Sequence, residues 1–298
     1  MTTTMARPRI SEFTSARARS RFLAAYDAAL GRVWPVERDT VDVATGFGTA
    51  RVYRSGRPTG VPVVLLPGAG GGAFMWRHYI VPLGVTRPVF AVDPVGEPGY
   101  GVQTRPIADG HDAAQCVQEL LDGLGVERAH LVGCSYGGWL ALRSASAYPG
   151  RSASVTLLDP AGFAPLTAKV LLWIIAGGLA SLAPAMLRRR AARWLNNPAL
   201  RDAEMMRMIR ASMSFRRRLP MPQVLTDDEL RAVTAPTLAL LGERSQLYRT
   251  TEVATRIGEV MPTARVAILP GAGHAFPMDD TTIIERIVTF VDTADTPS

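Results

Sequence analysis

The sequence predicts an α/β fold: a mostly parallel sheet with helices on both faces and one helical insertion. Three observations carry that prediction. From Val61 onward, short and continuously apolar runs alternate with helical patterns, as expected of strands buried on both faces. The chain has 298 residues, 47% of them hydrophobic, enough for one large core plus an insertion. The alternation breaks once, over about Gly162 to Asp228, where the pattern turns helical.

Taken in order, Phe13 to Leu30 carries apolar residues at helical spacing (Phe22, Leu23, Tyr26, Leu30) among arginines, which predicts a helix lying against the body. Thr40–Ala44 and Ala50–Arg54 alternate around Gly46-Phe47-Gly48 and read as a β-hairpin. Val61–Leu66 and Arg87–Val92 are buried strands, the first ending in a glycine-rich turn and the second at Asp93. A helix over Ala113–Leu124, a strand over Ala129–Val132, a helix over Tyr136–Tyr148 and a strand over Ala153–Leu158 follow. Beyond the insertion, Thr237–Leu241 and Arg265–Leu269 are two further strands, each followed by a helix.

Composition excludes several classes. The apolar content is too high for a disordered chain, and four histidines with two cysteines leave little for a structural zinc site. Cys116 and Cys134 form no CxxC and no disulfide framework, so reduced thiols and a cytoplasmic home are expected. The Arg-rich first twenty residues have the composition of a transit peptide but no apolar core of a secretory signal. They read more simply as an amphipathic helix. The net charge is +7, with Lys169 the one lysine. The arginine runs 188–190 and 216–218 are not interleaved with aromatics, so they read as solvated helix faces or contacts to anionic surfaces and not as a nucleic-acid site.

Val170 to Leu187 contains no charged residue. Its 18 positions approach the lower limit of a membrane span, yet Gly177, Gly178 and Pro184 weaken such a helix. The stretch is read as an apolar lid over a pocket, with an interfacial membrane contact as the alternative.

The chemistry concentrates at two places. Gly133-Cys134-Ser135-Tyr136-Gly137 follows a buried strand and opens a helix. A serine on so sharp a turn is strained and exposed, and small neighbours make room for it. The helix start supplies the Tyr136 backbone N–H as an oxyanion donor. Cys134 points away from the tip of such an elbow and is not the nucleophile. A serine needs a base, and His274, in Gly271-Ala272-Gly273-His274, follows the last predicted strand. That places it where open α/β sheets build their sites. His78, His111 and His130 have weaker positions.

With these motifs the chain resembles the α/β-hydrolase family over roughly Val41 to Asp292, most like bacterial carboxylesterase-type members with a helical cap. Leu66-Pro67-Gly68-Ala69-Gly70-Gly71 and Ala91-Val92-Asp93-Pro94-Val95-Gly96 add support. The resemblance implies a mostly parallel eight-stranded twisted sheet. It also implies a division into an N-terminal helical segment (1–38), a core in two parts (39–162 and 229–298) and a helical cap (163–228). Under it the turn after Leu66 gives the second oxyanion donor, from Ala69 or Gly70, although Pro67 stands where the family usually has histidine. The same turn, read as Gly68-x-Gly70-x-x-Ala73 with Asp93 downstream, imitates a dinucleotide fingerprint. That reading leaves the elbow and His274 unexplained.

The acid of the triad is displaced. The family's usual loop reads Gly242-Glu243-Arg244-Ser245 here, with serine at the acid position. Asp159, at the end of the preceding strand, is favoured; Glu243 and a missing acid are the alternatives. The expected activity is serine hydrolysis of a carboxylic ester or related acyl substrate with a hydrophobic portion, through an acyl-serine. Catalytic residues would be Ser135, His274 and Asp159, with Ala69 and Tyr136 at the oxyanion and no metal or organic cofactor. The same residues could serve acyl transfer, thioester cleavage or cyclisation, or the fold could be a non-catalytic small-molecule binder. The expected partner is a small molecule and not a nucleic acid; membrane contact stays the disfavoured alternative, and the oligomeric state is left open.

Overall fold

The structure, a computed structural model, describes residues 9–295. The outermost residues of the predicted N-terminal segment and of the second core part lie outside it.

A two-residue strand β1 (Glu12–Phe13) precedes helix α1 (Ala16–Val33). Phe13 was expected inside that helix. Ser15 caps it instead, its side chain accepting the Ala18 N–H, so the helix starts three residues later. Strands β2 (Asp39–Thr45) and β3 (Gly48–Gly56) form the predicted hairpin. Then come β4 (Val63–Leu66), a 3₁₀ turn (Ala73–Trp76), α2 (Ile80–Gly84), β5 (Pro88–Asp93) and β6 (Val102–Gln103). Helix α3 (Gly110–Gly123), capped by Asp109, leads to β7 (Ala129–Cys134), α4 (Tyr136–Ala147) and β8 (Ser152–Leu158). The insertion holds α5 (Ala168–Ser181), α6 (Ala185–Trp194), α7 (Ala203–Ser212) and β9 (Phe215–Arg216). Helix α8 (Asp227–Arg231), β10 (Thr237–Gly242), α9 (Thr250–Val260), β11 (Ala264–Leu269) and α10 (Thr281–Ala294) complete the chain.

The main sheet runs β11-β10-β8-β7-β4-β5-β3-β2. Every pairing from β11 to β5 is parallel; β3 and β2 join antiparallel. The expected eight strands are present, and β6 adds a short ninth beside β3. Two residues are too few to leave a periodic trace in sequence.

The apolar strands divide their side chains between two cores, as period-two geometry requires. Val64 and Leu66 pack with α3, α4 and α9 on one face. Val63 and Leu65 pack with α1, α2 and α10 on the other. After β4 the chain moves to β5 on one side, then returns to place β7 on the other. The carboxyl ends of β4 and β7 therefore flank a reversal of strand order, where a crevice opens.

Candidate active site

Ser135 stands at that crevice, with φ 51° and ψ −110° between the end of β7 and the start of α4. The flanking glycines explain how this is possible. A side chain on Gly137 would collide with the Leu66 carbonyl, and one on Gly133 with the Gly137 carbonyl. Close approach of backbone to backbone, not only flexibility, fixes glycine at both positions. The turn after β4 lies against the elbow: a Cβ on Gly68 would sit 3.5 Å from that of Ser135.

On the adjacent strand, Asp159 follows Leu158 and is also left-handed, at φ 43°. The Ser135 N–H donates to the Leu158 carbonyl at 3.0 Å, so the two strained residues are joined through the sheet. Asp159 is fully buried. Its Oδ2 lies 2.7 Å from His274 Nδ1 and accepts the Ser245 hydroxyl at 2.6 Å. Its Oδ1 accepts the Gly242 N–H at 2.9 Å and the Tyr248 hydroxyl at 3.1 Å. The carboxylate pushes the Tyr248 phenol, already raised by burial, further above its ordinary range.

His274 arrives on the loop after β11. Gly242 leaves room for that loop, since a Cβ there would be 2.8 Å from the Ala272 and Gly273 carbonyls. The Gln246 side chain accepts the His274 N–H at 2.8 Å, and the Trp173 ring of α5 meets the imidazole edge-on at 5.9 Å. An imidazole held through Nδ1 by a carboxylate has Nε2 left to act as a base. Among the described residues no hydrogen bond joins the Ser135 hydroxyl to His274, and both residues are partly open to solvent.

The remaining candidates separate cleanly. Glu243 faces the other way, accepting the Gly271 N–H at 2.7 Å and bracing the histidine loop. Gly70 is withdrawn as an oxyanion donor because its N–H is bonded to Glu97 Oε2 at 2.9 Å. The backbone N–H groups of Ala69 and Tyr136 have no hydrogen-bond partner among the described residues. Cys134 is buried, which pushes its thiol up to about 12. Asp93, the acid of the imitation dinucleotide fingerprint, is consumed internally. It accepts the Tyr26 hydroxyl (2.6 Å) and the N–H groups of Ala73 (2.7 Å) and Tyr100 (3.0 Å). No oxygen of it is offered to a ribose.

Several supporting residues have no signature in the sequence. Ser245, at the position where the resemblance would put the acid, donates its hydroxyl to Asp159 instead. Tyr248, Gln246 and Trp173 carry no local signal. Glu97 is buried and pairs with Arg217 at 2.8 Å, and that guanidinium lies 4.3 Å from the Tyr136 ring centre. Burial raises the Glu97 carboxyl, while Arg217 and the Gly70 N–H pull it back down.

The apolar residues of the insertion do not all turn inward. Trp173 does face the histidine, but Leu171, Leu172, Ile174, Ile175 and Leu179 project outward. No helix among the described residues is long and apolar enough to cross a membrane.

A strained serine on a strand-to-helix turn at a switch point, with a buried aspartate paired to a half-buried histidine near the same sheet end, defines an α/β protein with the elbow geometry of the hydrolases. The chain belongs to the α/β-hydrolase family, whose model matches residues 63–283. Its likeness is to carboxylesterase-type members. It is 26% identical over 281 residues to the uncharacterized carboxylesterase nap of Bacillus subtilis (strain 168), covering 91% of this chain and 92% of that one. It is 25% identical to carboxylesterase YbfK of the same organism, covering 94% and 96%. The crystal structure of naproxen esterase from Bacillus subtilis superposes with a TM-score of 0.80 at 25% identity, over 93% of this chain and 99% of that one.

Proposed function

We propose that this chain is a serine hydrolase that cleaves a carboxylic ester with a hydrophobic portion through an acyl-serine intermediate. The carrying observation is the 2.7 Å contact between Asp159 and His274 at the sheet edge that bears the Ser135 elbow. The carboxylesterase relatives support the substrate class.

In this reading Asp159 holds the imidazole in one tautomer and stabilises the imidazolium. Nε2 of His274 removes the Ser135 proton, a contact that tightens when substrate fills the crevice. The freed Oγ attacks the acyl carbonyl. The N–H groups of Ala69 and Tyr136 receive the oxyanion; their lack of internal partners supports that role. The imidazolium protonates the departing alcohol, leaving an acyl-serine. Water, deprotonated by His274, then releases the acid and restores the hydroxyl. Residues 163–228 serve as the cap over this site, between core parts 39–162 and 229–295 of the described residues, with residues 9–38 packed against the core.

A fluorophosphonate tests the reading directly. Wild-type protein should label at one site per chain and Ser135→Ala should not label at all, measured by intact mass. Unlabelled wild type, or a label that survives Ser135→Ala, would overturn the assignment.

A further inference from the structure

The cap presents a surface that the proposed chemistry leaves unused. On α5, the 100° step per residue places Leu171, Leu172, Ile175 and Leu179 within an arc of about 100°. All four are exposed, Leu172 and Leu179 at 66% each. The opposite side of the helix carries Trp173, Ala176 and Ala180, which pack on the Ala192–Leu195–Leu200–Met206 cluster. Leu182, Met186, Leu187 and Trp194 continue the outer face, with Trp194 84% exposed. Nine of the 17 large hydrophobic residues exposed among the described residues fall within 171–194. Scattered exposure is ordinary; a concentration of this size marks a contact surface.

The charge around it is of one sign. From Pro160 to Arg201 there is no Asp or Glu, while Lys169 and arginines 188, 189, 190, 193 and 201 supply six cations. Arg188 is tied to the Leu200 and Ala183 carbonyls. Arg189, Arg190 and Arg193 are exposed and make no ion pair among the described residues. A second copy docked face to face would bring these unpaired guanidinium groups together, with like charges opposed. A phosphate-bearing surface would neutralise them, and its acyl layer would take the leucines and isoleucines. An indole suits the boundary between the two.

We infer that the outer face of α5 and α6 docks on an anionic lipid bilayer, lying in its surface. The inference stands apart from the proposed chemistry, although the docked helix is the one whose inner face meets His274. Cosedimentation with vesicles tests it, using phosphatidylcholine alone or mixed equally with phosphatidylglycerol, at low salt. Wild type should bind the anionic vesicles at least about tenfold more tightly than the neutral ones. Leu172→Ser with Leu179→Ser should abolish binding, and Arg189→Glu with Arg190→Glu should remove the anionic preference. Neither pair should alter hydrolysis of a water-soluble short-chain ester, which is followed in parallel. If wild type lacks that hydrolysis, the serine-hydrolase reading fails and the vesicle result still stands. Wild type that ignores both vesicles, or variants that bind as wild type does, would overturn the inference. So would a dimer, seen by sedimentation equilibrium, that the two serine substitutions dissolve.

Discussion

Two histidine–aspartate pairs occupy opposite ends of the same sheet. At the carboxyl end His274 meets Asp159 at 2.7 Å; at the amino end His130 meets Asp295 at 3.0 Å. Strand β7 links the two regions, since His130 is its second residue and Ser135 follows its last. The chemical partners match, but the surroundings do not. The His130 side chain is fully buried, with Ser154 on Nδ1 and the Arg87 guanidinium 3.1 Å from Nε2. Arg87 in turn pairs with Asp292 and Asp295, clasping the end of α10 to the body. Burial first, and Arg87 in the same direction, lower the imidazole to about 4, against the pull of Asp295. The His274 side chain retains 14% exposure, and its Nε2 has no hydrogen-bond partner among the described residues. What separates a clasp from a candidate base is therefore the second nitrogen and the space beside it.

The largest expected effect breaks the carboxyl-end pair. Asp159→Asn should lower ester turnover by roughly 10³–10⁴-fold, with the circular dichroism spectrum retained. Turnover within a few-fold of wild type would remove Asp159 from the mechanism.

Disrupting the amino-end pair should do the reverse. His130→Gln should leave turnover within a few-fold of wild type while changing stability and its response to acid. The unfolded chain takes up this proton near pH 6.5, the folded chain only near 4. Between those values the unfolded state carries more protons, so the contribution is complete above pH 6.5 and is lost as pH falls toward 4. It amounts to about 3 kcal/mol. Urea unfolding at pH 7 and pH 4.5 should show a smaller difference in the variant than in wild type. Equal differences would mean that His130 is not the group responsible.

A smaller effect sharpens the comparison. Ser245→Ala removes one donor from Asp159 but leaves Gly242 and Tyr248, and should reduce kcat about tenfold with KM little changed, the cost of one hydrogen bond to a charged group. A change in KM alone would place Ser245 in substrate binding instead.

How much of this was legible depended on distance along the chain. The strands were readable because each is continuously apolar, and the elbow because Gly133 and Gly137 stand two residues either side of Ser135. Helix α1 was placed three residues early because Phe13 continues the apolar spacing, while the decisive feature is the Ser15 cap. Asp159 could be named from its strand end, but nothing local distinguishes it from a turn aspartate before Pro160. Its partners Tyr248 and Gly242 lie more than 80 residues away. The Glu97–Gly70 bond, which occupies the Gly70 N–H and leaves the Ala69 N–H the better candidate donor, has no pattern at all in one dimension. The outward turn of the α5 leucines was hidden for another reason: uniform hydrophobicity over 170–182 does not say which side faces the protein.

The serine at 245 and the aspartate at 159 are a single choice. Their oxygens are 2.6 Å apart, so a carboxylate at the family's customary position would confront the one already present. Two negative groups at that separation persist only by sharing a proton. If Asp159 is the acid of the proposed mechanism, serine at 245 is the residue that leaves its charge unopposed, and Ser245→Asp should disable the pair as surely as removing Asp159.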